Sequence, residues 1–470
     1  MKFSRKQTAA YGLGAVGKDM VYALSSSYVM YYYNQILGIS STFVGLILMI
    51  ARVFDAVNDP FMGIIVAKTR TKYGKFRPWI LSGTILNAFM LYALFAAPQN
   101  LAGSGLNLYF AVIYILWGVT YTMMDIPYWS LIPAVTNEPK DRESMSVVGR
   151  NCAGVGNALI TVFAMRSVQL VGGGIDKASE RSGFAWIAFA VGIIFIITET
   201  ILFFAIKEKP SKKEEEVKTA SISDMFRALF ANDQAMVVVI TIVLINTALY
   251  ITSNLLIYFF KYDVGGADWA SSQMLFNMVG GAAQILGMMI LYPALRKKMT
   301  NDAIFKTCLV MEIIGYALIL AACFLGLANN MAVICGAGLF VFLANGILTV
   351  LTTVFLSATV DYGELKTGKR EESVIFSMQT FVVKLASGLA VFLSGIGLDL
   401  IGLVGDDSTE GTIVAQSVST INGLRLLMTV LPILGLVAAM ILFRKKFKLT
   451  DEKIVSMNTE LRERRGEANA

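Results

Sequence analysis

The chain has no histidine and few charged residues. Of its 470 residues, 16% are charged and 56% are hydrophobic, whereas a soluble domain usually carries roughly a quarter charged residues. The absence of histidine excludes imidazole zinc sites, Ser-His-Asp triads and histidine proton relays. The low charge content excludes a soluble cytosolic enzyme.

Cysteine and nucleotide-binding patterns are also scarce. The 4 cysteines stand singly within apolar segments without CxxC spacing, so we interpret them as small core residues. The predicted inner loops contain no Walker loop or dinucleotide fingerprint. Neither ATP-driven transport nor nucleic-acid binding is expected.

Twelve apolar segments of about 20 residues or more run along the chain, each long enough to cross roughly 30 Å of hydrocarbon as a helix. Lys and Arg accumulate on the cytoplasmic side of membrane proteins. With the N-terminus inside, the predicted outer loops hold only Lys177, Arg181 and Lys261 of the basic residues. We predict an all-α, multi-pass protein of the inner or plasma membrane, with twelve transmembrane helices and both termini cytoplasmic.

A charged stretch, KEKPSKKEEEVK, divides these segments into two sets of six. Arg142-Glu143 before the fifth segment is echoed by Arg370-Glu371 before the eleventh. Such a six-plus-six arrangement is typical of secondary transporters with parallel repeats. The predicted parts are an N-terminal half (1–206), a cytoplasmic central loop (207–234), a C-terminal half (235–445) and a cytoplasmic tail (446–470).

Charges within the predicted spans are concentrated in the first half, where their burial cost indicates function. In the second span, Asp55 and Asp59 lie one helical turn apart with Asn58 beside them. Two carboxylates so close favour a cation between them, and sodium suits oxygen ligands. The alternative is a self-neutralising network. Its cations are Lys18, Arg52, Arg150 and Lys384, and its carboxylates are Asp19, Asp55, Asp59 and Asp125.

The fourth span places Tyr121, Asp125 and Trp129 on one helical face, with Thr122 adjacent. A carboxylate that accepts hydroxyl hydrogens beside an indole is typical of carbohydrate binding. Asp19 in the first span is a candidate second carboxylate. Arg166 and Glu199 lie nearer the ends of predicted spans, and the consecutive tyrosines 31–33 are interpreted as an interfacial belt.

Several strings together carry a family resemblance over almost the whole chain, from Tyr11 to about Lys448. They are YGLGAVGKD, ARVFDAVNDPFMG, TRTKYGKFRPW, YILWGVTYTMMDIPYWSLIP, VDYGE and SMQTFVVK. In order and spacing they resemble the glycoside-pentoside-hexuronide:cation symporters of the major facilitator fold. Two positions depart from that pattern: Thr349 stands where a carrier of the family has tryptophan, and Ala358 where it has aspartate.

The resemblance implies two sets of binding residues. The cation set is Asp55, Asn58, Asp59 and Thr122. The sugar set is Lys18, Asp19, Tyr121, Asp125, Trp129 and Arg150 from the first half, with Gln379, Thr380 and Lys384 from the second. We further expect Lys384 to reach the carboxylates of the second span and to stand in for the cation.

The resulting expectation is a monomeric secondary transporter surrounded by membrane lipids that couples Na⁺, or H⁺ or Li⁺, to a small neutral glycoside such as an α-galactoside. A hexuronide is the first alternative, since Arg166 adds a positive charge. A lysolipid or other amphiphile is the second. A polytopic membrane enzyme is the least expected, because without histidine few residues serve as a base.

Overall fold

The computed structural model describes residues 4–136, 139–208, 227, 229–266, 268–368, 372–405 and 414–464. Within these ranges the chain is helical, and the one bridge of β type joins Thr71 to Gly74 in a loop. The first six helices are α1 (Arg5–Tyr31), α2 (Ser41–Lys68), α3 (Arg77–Phe95), α4 (Gly103–Val135), α5 (Pro139–Gly172) and α6 (Lys177–Ala205). The next six long helices are α7 (Asp233–Tyr258), α8 (Trp269–Leu286), α9 (Asn301–Phe324), α10 (Met331–Thr367), α11 (Glu372–Leu400) and α12 (Val418–Lys446). A short helix, α13 (Asp451–Arg464), follows. A π-helical turn (Gly287–Leu291) and a short helical segment (Tyr292–Arg296) continue α8.

Polar side chains begin many of these helices by accepting hydrogen bonds from otherwise unpaired backbone N–H groups. Ser4 and Gln7 form a reciprocal capping box at the start of α1. Asp176 caps α6 by accepting from the N–H groups of Ala178 and Ser179, and its hydrogen bonds with Ser179 lower the pKa of its carboxyl. These caps place the helix boundaries in the polar connections that separate the apolar segments of the sequence.

Among the described residues, ten helical segments are long and apolar enough to cross a membrane. The two remaining long helices are α1 and α2, with 27 and 28 residues. Both are long enough to span, and both contain the charges that the sequence singled out, Lys18 and Asp19 in α1 and Asp55 and Asp59 in α2.

The chain forms two compact units. One comprises Met1–Val217 with two short later segments, Gly266–Met274 and Leu398–Gln416. The other comprises Lys218–Gly265, Leu275–Gly397 and Ser417–Ala470. Within the first unit, α1 packs on α5 and α6, and α3 packs on α4 and α6. Within the second, α7 and α9 pack on α12, and α9 packs on α10.

A π-helical turn follows the first helix of each unit. The turn Tyr32–Ile36 continues α1, and Phe259–Val264 continues α7. The same irregularity thus recurs at the same place in both sets of six helices. This recurrence agrees with an internal repeat.

Glycine allows helices within a unit to approach until their backbones touch. A Cβ on Gly156 of α5 would lie 2.3 Å from the carbonyl oxygen of Val16 on α1. A Cβ on Gly183 of α6 would lie 2.1 Å from the carbonyl oxygen of Val168 on α5. Small residues at helix interfaces are the usual means of close packing in membrane proteins.

The tyrosines 31–33 are not an interfacial belt, and that interpretation of the sequence is wrong. Tyr31, Tyr32 and Tyr33 are all 0% exposed within the first unit. The hydroxyl of Tyr31 donates to Glu180 Oε2 at 2.6 Å, and that of Tyr33 donates to the Leu94 carbonyl at 2.8 Å. Their position near the end of an apolar segment suggested a lipid interface, but the side chains pack between helices instead.

The loop between α2 and α3 is fixed by one acidic residue of its own unit. The Glu208 carboxylate accepts hydrogen bonds from the backbone N–H groups of Lys75, Phe76 and Arg77, at 2.6, 2.9 and 2.7 Å. Gly74 has a φ of 109°, and a Cβ there would lie 2.4 Å from the Glu208 carboxyl carbon. Glycine is therefore required at this turn both by its conformation and by the closeness of the carboxylate.

The helix α13 packs on the second unit rather than extending away from it. Leu449 and Met457 are buried with Ala358 of α10 in a small apolar cluster. Arg296 pairs with Asp451 at 2.6 Å at the start of α13. Ala358, one of the two departures from the family pattern, therefore lies beneath α13.

Prediction on helix packing. Substituting Gly156→Ala places a methyl group against the Val16 carbonyl and should lower stability by about 1–3 kcal/mol through overpacking. Gly154→Ala is the matched control on the same helix, since a Cβ at Gly154 meets nothing within 4 Å. Thermal unfolding of the two purified variants measures the difference. Equal melting temperatures would show that α1 and α5 are not in backbone contact.

Candidate functional site

The ammonium group of Lys18 is the centre of a charge cluster between α1 and α4. Its Nζ lies 2.9 Å from Asp19 Oδ2 and 2.8 Å from Asp125 Oδ1. Nζ also donates to the Tyr121 hydroxyl at 3.4 Å. The structure therefore brings together four residues of the predicted sugar set, and it pairs the two carboxylates with the same cation.

Exposure differs between the members of this cluster. The Lys18 side chain is 3% exposed, whereas those of Asp19 and Asp125 are 20% and 29% exposed. The lysine thus lies behind the two carboxylates, which keep accessible surface of their own. With all three groups ionised, the cluster carries one net negative charge and presents hydrogen-bond acceptors outward.

Aromatic rings surround the Lys18 ammonium on one side. Nζ is 5.1 Å from the centroid of the Trp129 ring and 5.4 Å from that of Tyr128, distances at which a cation and a ring face attract. Tyr128 stacks on Tyr11 with ring centroids 4.5 Å apart, and its hydroxyl donates to the Tyr11 carbonyl at 2.6 Å. These contacts fix the ring of Tyr128 between α1 and α4.

The sixth first-half residue of the predicted sugar set, Arg150, joins the cluster through Trp129. Its guanidinium carbon lies 5.5 Å from the centroid of the Trp129 ring, and the residue is exposed. Trp129 therefore has cations of two kinds near its ring, the buried ammonium of Lys18 and the exposed guanidinium of Arg150. The exposed one is accessible to a ligand.

A second polar group lies where α2 packs on α4. The Thr122 hydroxyl donates to Asp59 Oδ1 at 3.3 Å. One turn earlier on each helix, Asp55 Oδ1 lies 2.8 Å from the place that a Cβ on Gly118 would occupy. Successive turns of α2 thus direct two carboxylates toward α4. The Asp59 carboxylate accepts a hydrogen bond from Thr122, and the Asp55 carboxylate lies against Gly118.

A cation on the same helix lies close to one of the α2 carboxylates. Arg52 Nη1 lies 3.8 Å from Asp55 Oδ2, and its guanidinium carbon lies 5.2 Å from the centroid of the Tyr22 ring. Of the self-neutralising network that the sequence left open, the pairs Lys18–Asp19, Lys18–Asp125 and Arg52–Asp55 are formed. No group of three or more Asp, Glu, Cys or His residues suited to a metal occurs among the described residues.

The predicted second-half residues belong to α11 in the other unit. Gln379 and Lys384 are half-buried, and the side chain of Thr380 lies outside the described residues. Arg425 of α12 forms a bidentate ion pair with Asp263, in which Nε donates to Oδ2 at 2.7 Å and Nη2 donates to Oδ1 at 2.6 Å. The participation of Gln379, Thr380 and Lys384 stays a prediction, as does that of Asn58, which is half-buried on α2.

Three residues near these groups were not predicted as site residues. Gly118 and Tyr128 follow no sequence pattern that distinguishes them from ordinary helix-packing residues. Glu199, expected nearer a span end, is 0% exposed against α1. The side chain of Arg166 pairs with Asp268 at 3.2 Å and is 37% exposed.

Comparison with known proteins identifies the family. Residues 10–451 match the model of the family described as "MFS/sugar transport protein", so the chain belongs to that family. The chain is 26% identical to the lactose permease of Leuconostoc lactis, over 98% of this chain and 72% of that protein. It is 26% identical to the raffinose carrier protein of Pediococcus pentosaceus, over 96% and 70%. It is also 26% identical to the "putative glycoside/cation symporter YagG" of Escherichia coli K12, over 98% and 95%.

The fold is that of solved transporters. A bacterial homologue of the human lysosomal transporter Spinster superposes with a TM-score of 0.65 at 14% identity, covering 96% of this chain and 97% of that one. Such low identity establishes the fold alone. The chain is thus a secondary transporter of the all-helical major facilitator fold, a multi-pass membrane protein of the inner or plasma membrane, and not an enzyme.

Prediction on the charge cluster. Lys18→Met should leave Asp19 and Asp125 without their shared cation and lower stability by roughly 3 kcal/mol. Adding Asp125→Asn removes one of the two unpaired charges and should recover part of the loss. Thermal unfolding of both variants, with Asp125→Asn alone as the control, measures the coupling. Strictly additive effects would contradict a shared ion pair.

Proposed function

We propose that this protein is a sodium-coupled symporter of a small neutral glycoside, with H⁺ or Li⁺ as substitutes for sodium. The observation that carries the proposal is the pair of accessible carboxylates, Asp19 and Asp125, held beside Trp129 by a buried lysine. Twelve spans, cytoplasmic termini and a monomer belong to the same proposal.

The chemistry of the cluster suits a sugar. Hydroxyl groups donate charge-assisted hydrogen bonds to carboxylates, and the apolar face of a sugar ring packs on an indole. Asp19 and Asp125 supply the acceptors, Trp129 supplies the ring, and the Lys18 ammonium keeps both carboxylates in place. Because Lys18 is only 3% exposed, its role toward the sugar is to position the carboxylates.

Galactosides are the first candidates for the substrate. A lactose permease and a raffinose carrier are among the relatives, and lactose and raffinose both contain galactose. The strings ARVFDAVNDPFMG and YILWGVTYTMMDIPYWSLIP are in addition similar to those of melibiose permease. We therefore favour an α-galactoside such as melibiose, with Gln379, Thr380 and Lys384 completing its contacts.

The coupling cation is assigned to Asp55, Asn58, Asp59 and Thr122. Carboxylate, amide and hydroxyl oxygens are the ligands that a hard cation prefers, and two of these residues, Asp59 and Thr122, are already in contact. A relative named as a glycoside/cation symporter supports coupling to a cation. Inward movement of one sodium ion down a membrane potential supplies about 2.3 kcal/mol per 100 mV.

A hexuronide is the second candidate substrate, and Arg150 is the observation that favours it. The exposed guanidinium beside the Trp129 ring is a partner for a sugar carboxylate. Against it stand Asp19 and Asp125, which would repel a second negative charge in a site of low dielectric constant. Lys18 compensates only one of these two charges.

Prediction on the cation. Asp59→Cys should abolish sodium stimulation of sugar uptake while leaving sugar binding in sodium-free buffer, since the sugar carboxylates lie on α1 and α4. Uptake into proteoliposomes with and without a sodium gradient measures the first effect, and equilibrium binding measures the second. If sodium still raises sugar affinity as in the wild type, Asp59 is not a ligand of the coupling ion.

Prediction on the substrate. Neutral α-galactosides should displace a labelled galactoside from the purified protein at lower concentrations than the corresponding glucuronides do, by roughly tenfold or more, since one like-charge contact costs upward of 1.4 kcal/mol. Asp125→Asn should reduce the difference between the concentrations at which galactosides and glucuronides displace the label, because it removes one of the two like charges. Displacement by glucuronides and not by galactosides would mean that Asp19 and Asp125 have been given the wrong role.

A further inference from the structure

A buried acid lies next to the charge cluster and has no part in the proposed function. Glu199, on α6, is 0% exposed. Neither of its carboxyl oxygens has a hydrogen-bond partner among the residues that the structure describes. An unpaired ionised carboxylate at such a place costs several kcal/mol, and the usual response of the group is to bind a proton.

Glycine on α1 makes the room for this side chain. A Cβ on Gly14 would lie 3.1 and 3.2 Å from the two carboxyl oxygens of Glu199. On the neighbouring turn, a Cβ on Gly17 would lie 2.1 Å from Thr198 Oγ1. The carboxyl group of Glu199 is therefore pressed against the backbone of α1, one helical turn from Lys18, which follows Gly14 by four residues.

The groups that act on Glu199 come from several helices. Three charged groups interact with it electrostatically: Lys18 and Asp19 on α1 and Asp125 on α4. The hydroxyl groups of Tyr11 and Tyr128 also interact with it electrostatically. On α3, Arg77 donates to the Phe203 carbonyl one turn further along α6. On α5, the described ionisable side chains are Arg150, Cys152 and Arg166.

Among the described residues, Lys18 is the one cation that acts on Glu199, and it already binds two carboxylates. With Glu199 protonated, the cluster carries one net negative charge. If Glu199 lost its proton, a third carboxylate would compete for the same ammonium group, and the hold of Lys18 on Asp19 and Asp125 would weaken.

We propose that Glu199 is a proton-binding site that controls the sugar site: its neutral form allows Lys18 to hold Asp19 and Asp125 in place, and its ionised form withdraws Lys18 from them. This proposal rests on the proposed function, because it assumes that the two aspartates bind the sugar. Sugar binding should therefore weaken at alkaline pH even with sodium saturating, independently of the α2 carboxylates.

Glu199→Gln tests the proposal, because glutamine keeps the shape and the neutral charge of the protonated acid. Between pH 6 and pH 9.5, at saturating sodium, the galactoside affinity of the wild type should fall by about tenfold or more, whereas that of Glu199→Gln should stay constant. Glu199→Met, also uncharged, is the second variant in case the first is not expressed. An unchanged alkaline loss in the neutral variants, or no loss in the wild type, would overturn the proposal.

Glu312 offers the matched control. It is also 0% exposed and also lacks a hydrogen-bond partner among the described residues, but it lies on α9 in the second unit with Cys308 and Tyr316 as its neighbours. Glu312→Gln should retain the pH profile of wild-type binding. A flattened profile in this control would show that removing any buried acid has the same effect, which would refute a specific role for Glu199.

A second readout separates this proposal from the function on which it rests. If the folded protein keeps a proton that the unfolded chain releases, raising the pH above about 5 lowers the stability of the wild type relative to Glu199→Gln. Thermal unfolding without sugar detects this difference. Should galactosides fail to bind at any pH, the proposed function fails, while the unfolding data still decide whether Glu199 binds a proton. Parallel unfolding curves at all pH values would refute the proton site.

Discussion

The candidate site depends on charge pairing, because a charged side chain inside a membrane protein needs an opposite charge beside it. Lys18 is the cation that Asp19 and Asp125 share, and the aromatic rings of Tyr128 and Trp129 lie beside its ammonium group. Such an ion pair is stable only when its members cannot separate. Tyr11 of α1 stacks on Tyr128 of α4 and accepts a hydrogen bond from its hydroxyl through the backbone carbonyl, and these contacts hold the two helices at a fixed distance.

One helix, α4, serves both polar groups of the first unit. Gly118 and Thr122 face α2 and its carboxylates, whereas Tyr121 and Asp125 face α1 and Lys18. Residues 121 and 122 are neighbours in the chain, so the two groups share a single turn of backbone. In the proposed symport, this shared turn gives cation and sugar a short physical route by which the binding of one affects the affinity for the other.

The sequence predicted the long helices and the polar clusters because both are local patterns. A run of about 20 apolar residues has few alternatives to a buried helix, and the spacing of Tyr121, Asp125 and Trp129 places them on one face wherever the helix lies. The interfacial position of tyrosines 31–33 was predicted wrongly, because an apolar segment that ends in a packed helix junction has the same sequence appearance as one that ends at the lipid surface.

Other features depend on contacts that no local pattern contains. Gly118 acquires its significance only when Asp55 of another helix lies against it. The sharing of Lys18 between two carboxylates required the relative rotation of α1 and α4, which the sequence does not specify. Ala358 departs from the family pattern in the sequence, but its packing under α13 follows from tertiary structure alone.

The docking of α13 has a practical consequence for the length of the polypeptide. Leu449 and Met457 cover Ala358, and Arg296 binds Asp451 at the start of this helix. A chain that ends after α12 would retain every long helix but would present an uncovered apolar patch and an unpaired arginine to water. A gene truncated at that junction, or a reporter fused there, would therefore yield an aggregation-prone protein. Cellular quality control would remove it even though all of its long helices are intact.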